Sequence, residues 1–293
     1  MFETRYPFED RHTGRQGELR VAGGVWHRDV CTFEFSDSVF GLAGTIACDW
    51  REAGPQIEVV EGDASQPGCD GVLQLLRERL RAFHRGAYVG VTDRELARLY
   101  AGDYHQRMNL ASDNELERAF KRHMVDQILR MGAPGRVLDA GCSAGETLRQ
   151  LHARGVDAHG FDLCPDLLEI AYPEVREHVR VGSVTEVPYG PEDGFDTVLA
   201  LDLFEHVPED RVPQMVRELE RLQPRRVVAH IALCEFQYPG HLTLRPLSWW
   251  DEQLAPSFRR VADATSGEVA GGFGVDPSRY LRVYESVGAP IAS

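Results

Sequence analysis

The chain has 293 residues, enough for two domains, with 43 % apolar and 9 % aromatic residues, as in soluble globular proteins. Its net charge of −14 repels phosphate backbones, and no basic run offers a local exception, so nucleic acid is disfavoured as a substrate. Neither a membrane-spanning stretch nor the apolar region of a signal peptide is apparent, so we expect a cytoplasmic protein that does not bind membranes.

The cysteine and lysine content adds two expectations. The six cysteines show no C-x-x-C spacing and no accompanying histidine pairs, so we expect reduced thiols and no metal site. Lys121 is the only lysine, and all the other permanently positive side chains are those of arginine. We interpret this bias as the codon usage of a GC-rich bacterial genome.

Residues 1–105 read as a small α+β module. Short strand-like runs broken by turn residues precede a helical pattern at Val72–Phe83. The predicted strands include Glu18–Val21, Val30–Phe35 and Ile57–Val60. The module contains no recognised chemical motif, so its role is open. One hypothesis is that it docks a partner subunit or a second copy of the chain.

A connector helix is predicted within residues 106–132. Apolar residues recur at every fourth position, namely Leu116, Phe120, Met124 and Ile128, and Gly132 ends the pattern. Such a stripe favours a helix that packs one face on the following domain.

Residues 133–293 alternate between strand and helix patterns, which predicts an α/β, doubly wound, Rossmann-like sheet. The predicted strands are Arg136–Ala140, Val156–Phe161, Val179–Val181, Thr197–Leu201, Arg226–Ile231, a strand near Val261, and Leu281–Tyr284. The predicted helices are Gly145–Arg154, Pro165–Ala171, Val212–Leu222 and Ser248–Leu254.

The strongest chemical signal is Val137-Leu138-Asp139-Ala140-Gly141-Cys142-Ser143-Ala144-Gly145-Glu146-Thr147. An apolar strand leads into a glycine-rich turn that opens a helix. Gly141 and Gly145 lack Cβ atoms, so a ligand can approach the backbone closely. The turn falls at the carboxyl edge of the sheet, where open α/β folds bind ligands.

A second signal is Asp162, which follows the second predicted strand at the position where nucleotide-binding folds place an acid. Its carboxylate can accept hydrogen bonds from both hydroxyls of a ribose. The same side chain can also cap the helix that begins near Leu163, and the two roles are compatible.

These segments resemble motifs I and II of the class I S-adenosylmethionine (SAM)-dependent methyltransferases. Motif I is usually written V-L-D-x-G-C-G-x-G, and Ser143 stands here in place of its middle glycine. The resemblance covers about residues 133–293 and implies a mixed seven-stranded sheet and SAM as cofactor. It places cofactor contacts at Asp139, Gly141, Cys142, Gly145, Asp162 and Leu163.

The resemblance continues in two later segments. In the family an acid that recognises the adenine amino group is common at the position of Ser183, and a backbone contact from Val184 could serve beside it. The run Phe195–Pro208 is similar to the F-D-x-V-x-x-x-x-x-L-E-H-V-P run of small-molecule methyltransferases. It implies a cofactor contact from Asp202 and makes His206 a candidate general base.

Two further segments carry candidates. The run His241–Trp250 resembles a substrate-side segment of such enzymes: His241 is a second candidate base, Arg245 an anion clamp and Trp249 an aromatic wall. Upstream, Tyr104 belongs to an aromatic segment that in related enzymes closes over the cofactor, where an aromatic face favours a sulfonium cation. Core packing is the competing interpretation for the tryptophan and the tyrosine.

The sequence therefore predicts SAM-dependent methylation of a small molecule, in a setting such as bacterial natural-product or antibiotic biosynthesis. Two alternatives stay open. Because Ser143 and Ser183 depart from the usual cofactor seat, the fold could catalyse a cyclisation or an elimination. Because residues 1–105 carry no chemistry, the chain could instead be a subunit of a complex.

Overall fold

The computed structural model describes residues 2–10, 13–27, 30–49, 56–85, 92–101, 115–132, 134–231, 241–243, 245–263 and 281–287. Contacts divide the chain into two compact units, residues 1–89 with 232–250, and residues 90–231 with 251–293. The division into 1–105, 106–132 and 133–293 stays a prediction. Among the described residues, no helix is both long enough and apolar enough to cross a membrane.

The first unit contains a five-stranded antiparallel sheet whose strands lie in chain order. One helix, α1, follows the sheet, and its Cys69, Val72 and Leu76 belong to the same buried core as Phe33 and Phe35 of the sheet. The elements are β1 (Phe2–Glu9), β2 (Gln16–His27), β3 (Val30–Asp37), β4 (Ala43–Asp49), β5 (Gln56–Glu61) and α1 (Cys69–Arg85).

The sequence missed two of these strands. β1 contains Pro7, which argues against a central strand, but β1 pairs only with β2 and forms the edge of the sheet. β4 contains Gly44, whose absent side chain makes room for a neighbour, because a Cβ there would lie 1.9 Å from the carbonyl oxygen of Glu58. Neither strand therefore shows the alternating apolar pattern that identified β3.

The second unit is built on a seven-stranded mixed sheet in the order β11-β12-β10-β9-β6-β7-β8, which confirms the predicted fold class. Its parallel strands are β6 (Val137–Ala140), β7 (Ala158–Asp162), β8 (Val179–Val181), β9 (Thr197–Leu201) and β10 (Arg226–His230). The strands β11 (Phe258–Asp263) and β12 (Leu281–Ser286) complete it as an antiparallel pair beside β10.

The helices of this part of the chain are short to medium in length. They are α2 (Asp93–Tyr100), α3 (Glu115–Arg130), α4 (Glu146–His152), α5 (Leu167–Ile170), α6 (Val212–Leu222) and α7 (Leu247–Leu254). Met124 and Ile128 of α3 are buried in the core with Leu148 of α4, as the connector stripe predicted. The sequence missed α2, although Thr92 and Glu95 form a capping box at its start.

The order of the parallel strands creates a switch point between β6 and β9. The chain runs outward from β6 through β7 to β8, then returns to the other side of β6 to form β9 and β10. Open α/β sheets bind ligands in the crevice beyond the carboxyl ends of the strands at such a point. The residues that follow β6 and β9 therefore lie where this fold favours ligand binding.

Candidate active site

The turn after β6 holds a strained, compact backbone. Gly141 and Gly145 have φ values of +74° and +87°, and Ser143 has a φ of +49°. A Cβ on Gly141 would lie 3.0 Å from Cδ1 of Leu203, and one on Gly145 would lie 2.7 Å from Cγ2 of Val175. The turn thus depends on glycine at both positions, because of their left-handed dihedrals and of the close approach of Leu203 and Val175.

Asp162 is tied to this turn. Its Oδ2 accepts a hydrogen bond from the N–H of Ser143 and its Oδ1 accepts one from the N–H of Cys164, each at 2.9 Å. The second bond closes a short turn before α5, which begins at Leu167 with Asp166 as its N-cap residue, so the predicted helix-capping role of Asp162 is wrong. A carboxylate oxygen has two acceptor sites, so the fixed carboxylate retains the capacity to bind hydroxyl groups. Its contact with a ribose stays a prediction, as does a contact from the half-buried Leu163.

Asp139 is a buried acid directly before the turn, with 2 % of its surface exposed. Its pKa is raised to about 7, mainly by burial and also by the charge of Asp162, against the opposing charge of Lys121. Thr147 donates a hydrogen bond to the carboxylate and lowers the pKa. Asp139 therefore changes its charge near neutral pH.

Cys142 is buried within the turn, and its pKa lies well above the ordinary value because of burial and the charge of Asp162. Its side chain fills the space beside Gly160, where a Cβ would lie 2.7 Å from Cβ of Cys142. The thiol therefore stays protonated and packs as a small apolar group.

Asp202 follows β9 with a left-handed backbone, φ +58°, which is uncommon for a residue other than glycine. Its Oδ1 lies 2.5 Å from Nδ1 of His230 at the end of β10, and its Oδ2 lies 3.6 Å from Nζ of Lys121 on α3. Burial favours a higher pKa, but His230 and Lys121 together hold the pKa of Asp202 below its ordinary value. Asp202 is thus an ionised carboxylate fixed at the switch point.

His206 lies in the short 3₁₀ helix Phe204–His206, just beyond Asp202. The hydroxyl of Tyr100, the last residue of α2, lies 3.0 Å from Nδ1 of His206, and the two rings meet edge to face. This contact orients the imidazole, as a general base requires. The base role itself stays a prediction.

Ser183 follows β8, and its hydroxyl lies 2.8 Å from that of Thr185. Thr185 in turn contacts Asp93 at the start of α2. Val184 is buried, with 8 % of its surface exposed. The predicted contacts of Ser183 and Val184 with adenine are not tested by this geometry, and they stay predictions.

The predicted substrate-side residues belong to the other unit. Arg245 and Trp249 are buried, with 4 % and 7 % of their surfaces exposed, while His241 is half-buried. Trp249 packs edge to face on Trp250, with ring centroids 4.8 Å apart, which agrees with a packing role for both tryptophans. Their roles toward an acceptor stay predictions. Tyr104 lies outside the described residues.

The sequence did not single out Lys121, His230 or Asp93 as functional residues. The signal for Lys121 was present, since it is the only lysine of the chain, but it was interpreted as codon usage. His230 is the last residue of an apolar strand, and a single histidine at a strand end is too common to stand out. Asp93 lies between Thr92 and Glu95, whose capping box could have identified α2 but not the contacts of Asp93.

Comparison with known proteins agrees with this geometry. Residues 137–224 match the family described as a methyltransferase domain. Magnesium-protoporphyrin O-methyltransferase of Rhodobacter capsulatus is 34 % identical over 131 residues, which are 43 % of this chain and 54 % of that protein. Ubiquinone biosynthesis O-methyltransferase of Xanthomonas campestris pv. campestris (strain B100) is 33 % identical over 86 residues, which are 27 % of this chain and 36 % of that protein.

The chain thus spans about half or less of the length of these curated relatives. Among solved structures, the PH0226 protein from Pyrococcus horikoshii OT3 superposes with a TM-score of 0.52 at 18 % identity, over 63 % of this chain and 99 % of that one. This likeness supports the fold. The glycine turn and the family match of residues 137–224 agree on a methyltransferase domain of the class I, SAM-dependent type within this chain.

Proposed function

We propose that the protein transfers a methyl group from SAM to an oxygen atom of a small-molecule acceptor. One observation carries the proposal. Three features are grouped at the switch point of the sheet: the glycine turn, the fixed carboxylate of Asp162 and the ion pair of Lys121 with Asp202. Oxygen is the acceptor named for both curated relatives, and the net charge of −14 disfavours nucleic acid.

The residues at this edge fit SAM. Asp162 would accept hydrogen bonds from the ribose, and the left-handed dihedrals of Gly141 and Gly145 shape the turn along which the methionyl chain would lie. The methionyl end is an amino-acid zwitterion, and Lys121 and Asp202 offer a cation and an anion 3.6 Å apart that complement its two charges. Ser183 and Val184 follow β8, and we propose that they contact the adenine.

SAM supplies an electrophilic methyl group on a sulfonium, so the protein's work is alignment and proton removal. Holding two reactants in line can lower the barrier by roughly 7–11 kcal/mol. His206, oriented by Tyr100, would remove the proton of an acceptor hydroxyl, and such a base contributes typically about 10²–10⁴-fold. His241 is the second candidate for this role.

The proposed setting is bacterial natural-product biosynthesis in the cytoplasm, because Phe195–Pro208 resembles a run common in small-molecule methyltransferases. Residues 1–105 are proposed to dock a partner subunit or a second copy of the chain. Mass spectrometry of the ligand that copurifies with the full chain addresses the setting, and light scattering on the purified protein addresses the docking.

The central test combines binding and turnover. Calorimetry should show one site for SAM and for S-adenosylhomocysteine. Methyl-labelled SAM should transfer its label to an oxygen acceptor, tested with a catechol such as 3,4-dihydroxybenzaldehyde and separately with magnesium protoporphyrin. The variant His206→Gln should lower kcat on the catechol with unchanged affinity for S-adenosylhomocysteine. Absence of SAM binding would overturn the proposal. Binding of SAM with conversion of a copurifying ligand but no transfer of label would favour a cyclisation or an elimination instead.

A further inference from the structure

Four side chains form a closed hydrogen-bond network beside the carboxyl end of β8. Asp93, the first residue of α2, faces Arg211, with Oδ1 of Asp93 2.8 Å from Nη1 of Arg211. Thr185 Oγ1 lies 2.8 Å from Oδ2 of Asp93 and 2.9 Å from Nη2 of Arg211. Ser183 Oγ lies 2.8 Å from Thr185 Oγ1 and receives the backbone N–H of Thr185 at 3.1 Å.

The direction of every proton in this network is determined. A carboxylate only accepts and a guanidinium only donates, and a hydroxyl has one proton and two lone pairs. Thr185 therefore gives its hydroxyl proton to Asp93 and uses one lone pair for Arg211. Its other lone pair faces Ser183, so the bond between the two hydroxyls must carry the proton of Ser183.

The consequence falls on Ser183. Its proton points to Thr185, and one of its lone pairs is occupied by the backbone N–H of Thr185. These two are the hydrogen bonds that its hydroxyl makes among the described residues, so one lone pair remains. The hydroxyl of Ser183 is thus an acceptor that has no proton left to donate.

The network is also rigid. Thr185 is buried, with 3 % of its surface exposed, and Nε2 of Gln214 donates to its carbonyl oxygen at 2.8 Å. The side chains of Arg211 and Asp93 are 22 % and 27 % exposed. The capping box of Thr92 and Glu95 fixes the first turn of α2, which carries Asp93. Rotation of the Ser183 hydroxyl would therefore break a buried chain of hydrogen bonds.

We propose that Asp93, Arg211 and Thr185 are positioning residues that fix the hydroxyl of Ser183 as a hydrogen-bond acceptor for the 6-amino group of the cofactor's adenine. The inference rests on the proposed cofactor site and deepens it. A neutral serine that can only accept selects an amino group over a carbonyl group at purine position 6, because a carbonyl would face a second acceptor with no proton between them.

The hydrogen-bond network reaches beyond the residues that match the family. Asp93 lies outside residues 137–224, so a helix upstream of the methyltransferase domain determines how that domain reads its cofactor. The same helix ends at Tyr100, which contacts His206. One short helix thus supports both the adenine side and the candidate base.

The test compares two ligands by calorimetry on the full chain: S-adenosylhomocysteine and S-inosylhomocysteine, in which an oxo group replaces the 6-amino group. The wild type should prefer the adenosine compound. In Thr185→Val the hydroxyl of Ser183 becomes free to donate, so the preference should fall by about 2- to 13-fold, the range of one neutral hydrogen bond. Thr185→Ser retains the hydroxyl and should restore the preference.

Two variants complete the design. Asp93→Ala removes the acceptor at the more exposed end of the network, so it reports the same loss of preference even if Thr185→Val does not fold. Thr45→Val makes the same chemical change at an exposed strand position and should leave the preference unchanged. Folding of each variant is checked by thermal unfolding.

The outcomes distinguish the positioning role from the proposed function. A wild type that binds neither compound overturns the proposed function. A wild type that binds both equally, or an unchanged preference in folded Thr185→Val and Asp93→Ala, overturns the positioning role while the cofactor site stands.

Discussion

Nζ of Lys121 lies 3.6 Å from Oδ2 of Asp202, and the side chain that supplies this ammonium group is the only lysine in a chain otherwise served by arginine. Its positive charge lowers the pKa of Asp202 and also that of Asp139, so it acts on the acids at the ends of both β6 and β9. A compact ammonium can approach two carboxylates from between them, whereas a planar guanidinium fixes its donors in one plane. The charge of this one lysine therefore acts on two acids of the candidate site.

Replacing the ammonium should weaken cofactor binding. We expect Lys121→Met to raise the dissociation constant of S-adenosylhomocysteine by about 10- to 150-fold, corresponding to roughly 1.5–3 kcal/mol for one hydrogen bond to a charged group. The physical reason is the loss of the cation that complements the methionyl carboxylate. Calorimetry measures the effect, and Lys121→Arg, which retains the charge, should lose less. Equal affinity of Lys121→Met and the wild type would remove Lys121 from the site.

Asp162 should be required for binding but not for folding. Asp162→Ala removes the acceptor proposed for the ribose hydroxyls and the hydrogen bonds from the N–H groups of Ser143 and Cys164 to its carboxylate. We expect SAM affinity to fall by roughly 1.5–3 kcal/mol for each hydrogen bond lost. Asp166→Ala, at the start of α5, is the control on the same connection. An unchanged dissociation constant in folded Asp162→Ala would mean that the cofactor lies elsewhere.

Asp139 should make the stability of the ligand-free protein depend on pH. Its pKa is about 7 in the folded protein, above the ordinary value of 3.8, so the folded state binds the proton more tightly than the unfolded state. The stability that the neutral carboxyl provides is present below the unfolded value and is lost as pH rises through about 7. At about 1.4 kcal/mol per pKa unit, the loss is on the order of 4 kcal/mol.

The measurement is urea unfolding of the ligand-free protein at several values of pH. Asp139→Asn cannot ionise, so its free energy of unfolding should fall less than that of the wild type between about pH 5 and 7.5. Asp126→Asn, whose side chain is 45 % exposed, should follow the wild type. Parallel curves for Asp139→Asn and the wild type would show that the proton resides on another group.

The parts of the molecule that sequence predicted are those where local chemistry decides the structure. Thr197–Leu201 and Val212–Leu222 were predicted with the observed bounds, because one is a continuous apolar run and the other has a clear helical stripe. The turn of Gly141 and Gly145 was predicted for the same reason, since left-handed dihedrals restrict the choice of residue.

The contacts that sequence did not predict join residues far apart in the chain. Asp93 and Arg211 are 118 positions apart, and Tyr100 and His206 are 106 apart. Each partner on its own is an ordinary polar residue, and its meaning arises only when the fold brings the pair together. Periodicity and spacing report local structure, so they carry no information on such pairs.

Two glycines of the domain offer a matched test of why the cofactor turn requires glycine. Gly145 and Gly155 have similar left-handed dihedrals, φ +87° and +76°, but a Cβ on Gly145 would lie 2.7 Å from Cγ2 of Val175, whereas one on Gly155 would have no neighbour within 4 Å. Gly155→Ala therefore costs the backbone term alone, about 1–2 kcal/mol. Gly145→Ala adds steric overlap with a buried valine, typically about 1–3 kcal/mol more.

Urea unfolding of the two variants isolates the overlap as the difference between them. The double variant Gly145→Ala with Val175→Ala removes the neighbouring methyl groups and should recover the overlap cost, after correction for the loss caused by Val175→Ala alone. Gly145→Ala should also weaken binding of S-adenosylhomocysteine, because relief of the overlap shifts the backbone that follows Ser143, whereas Gly155→Ala should not. Equal destabilisation of the two single variants would show that dihedral strain alone, and not the packing of the turn on Val175, keeps glycine at position 145.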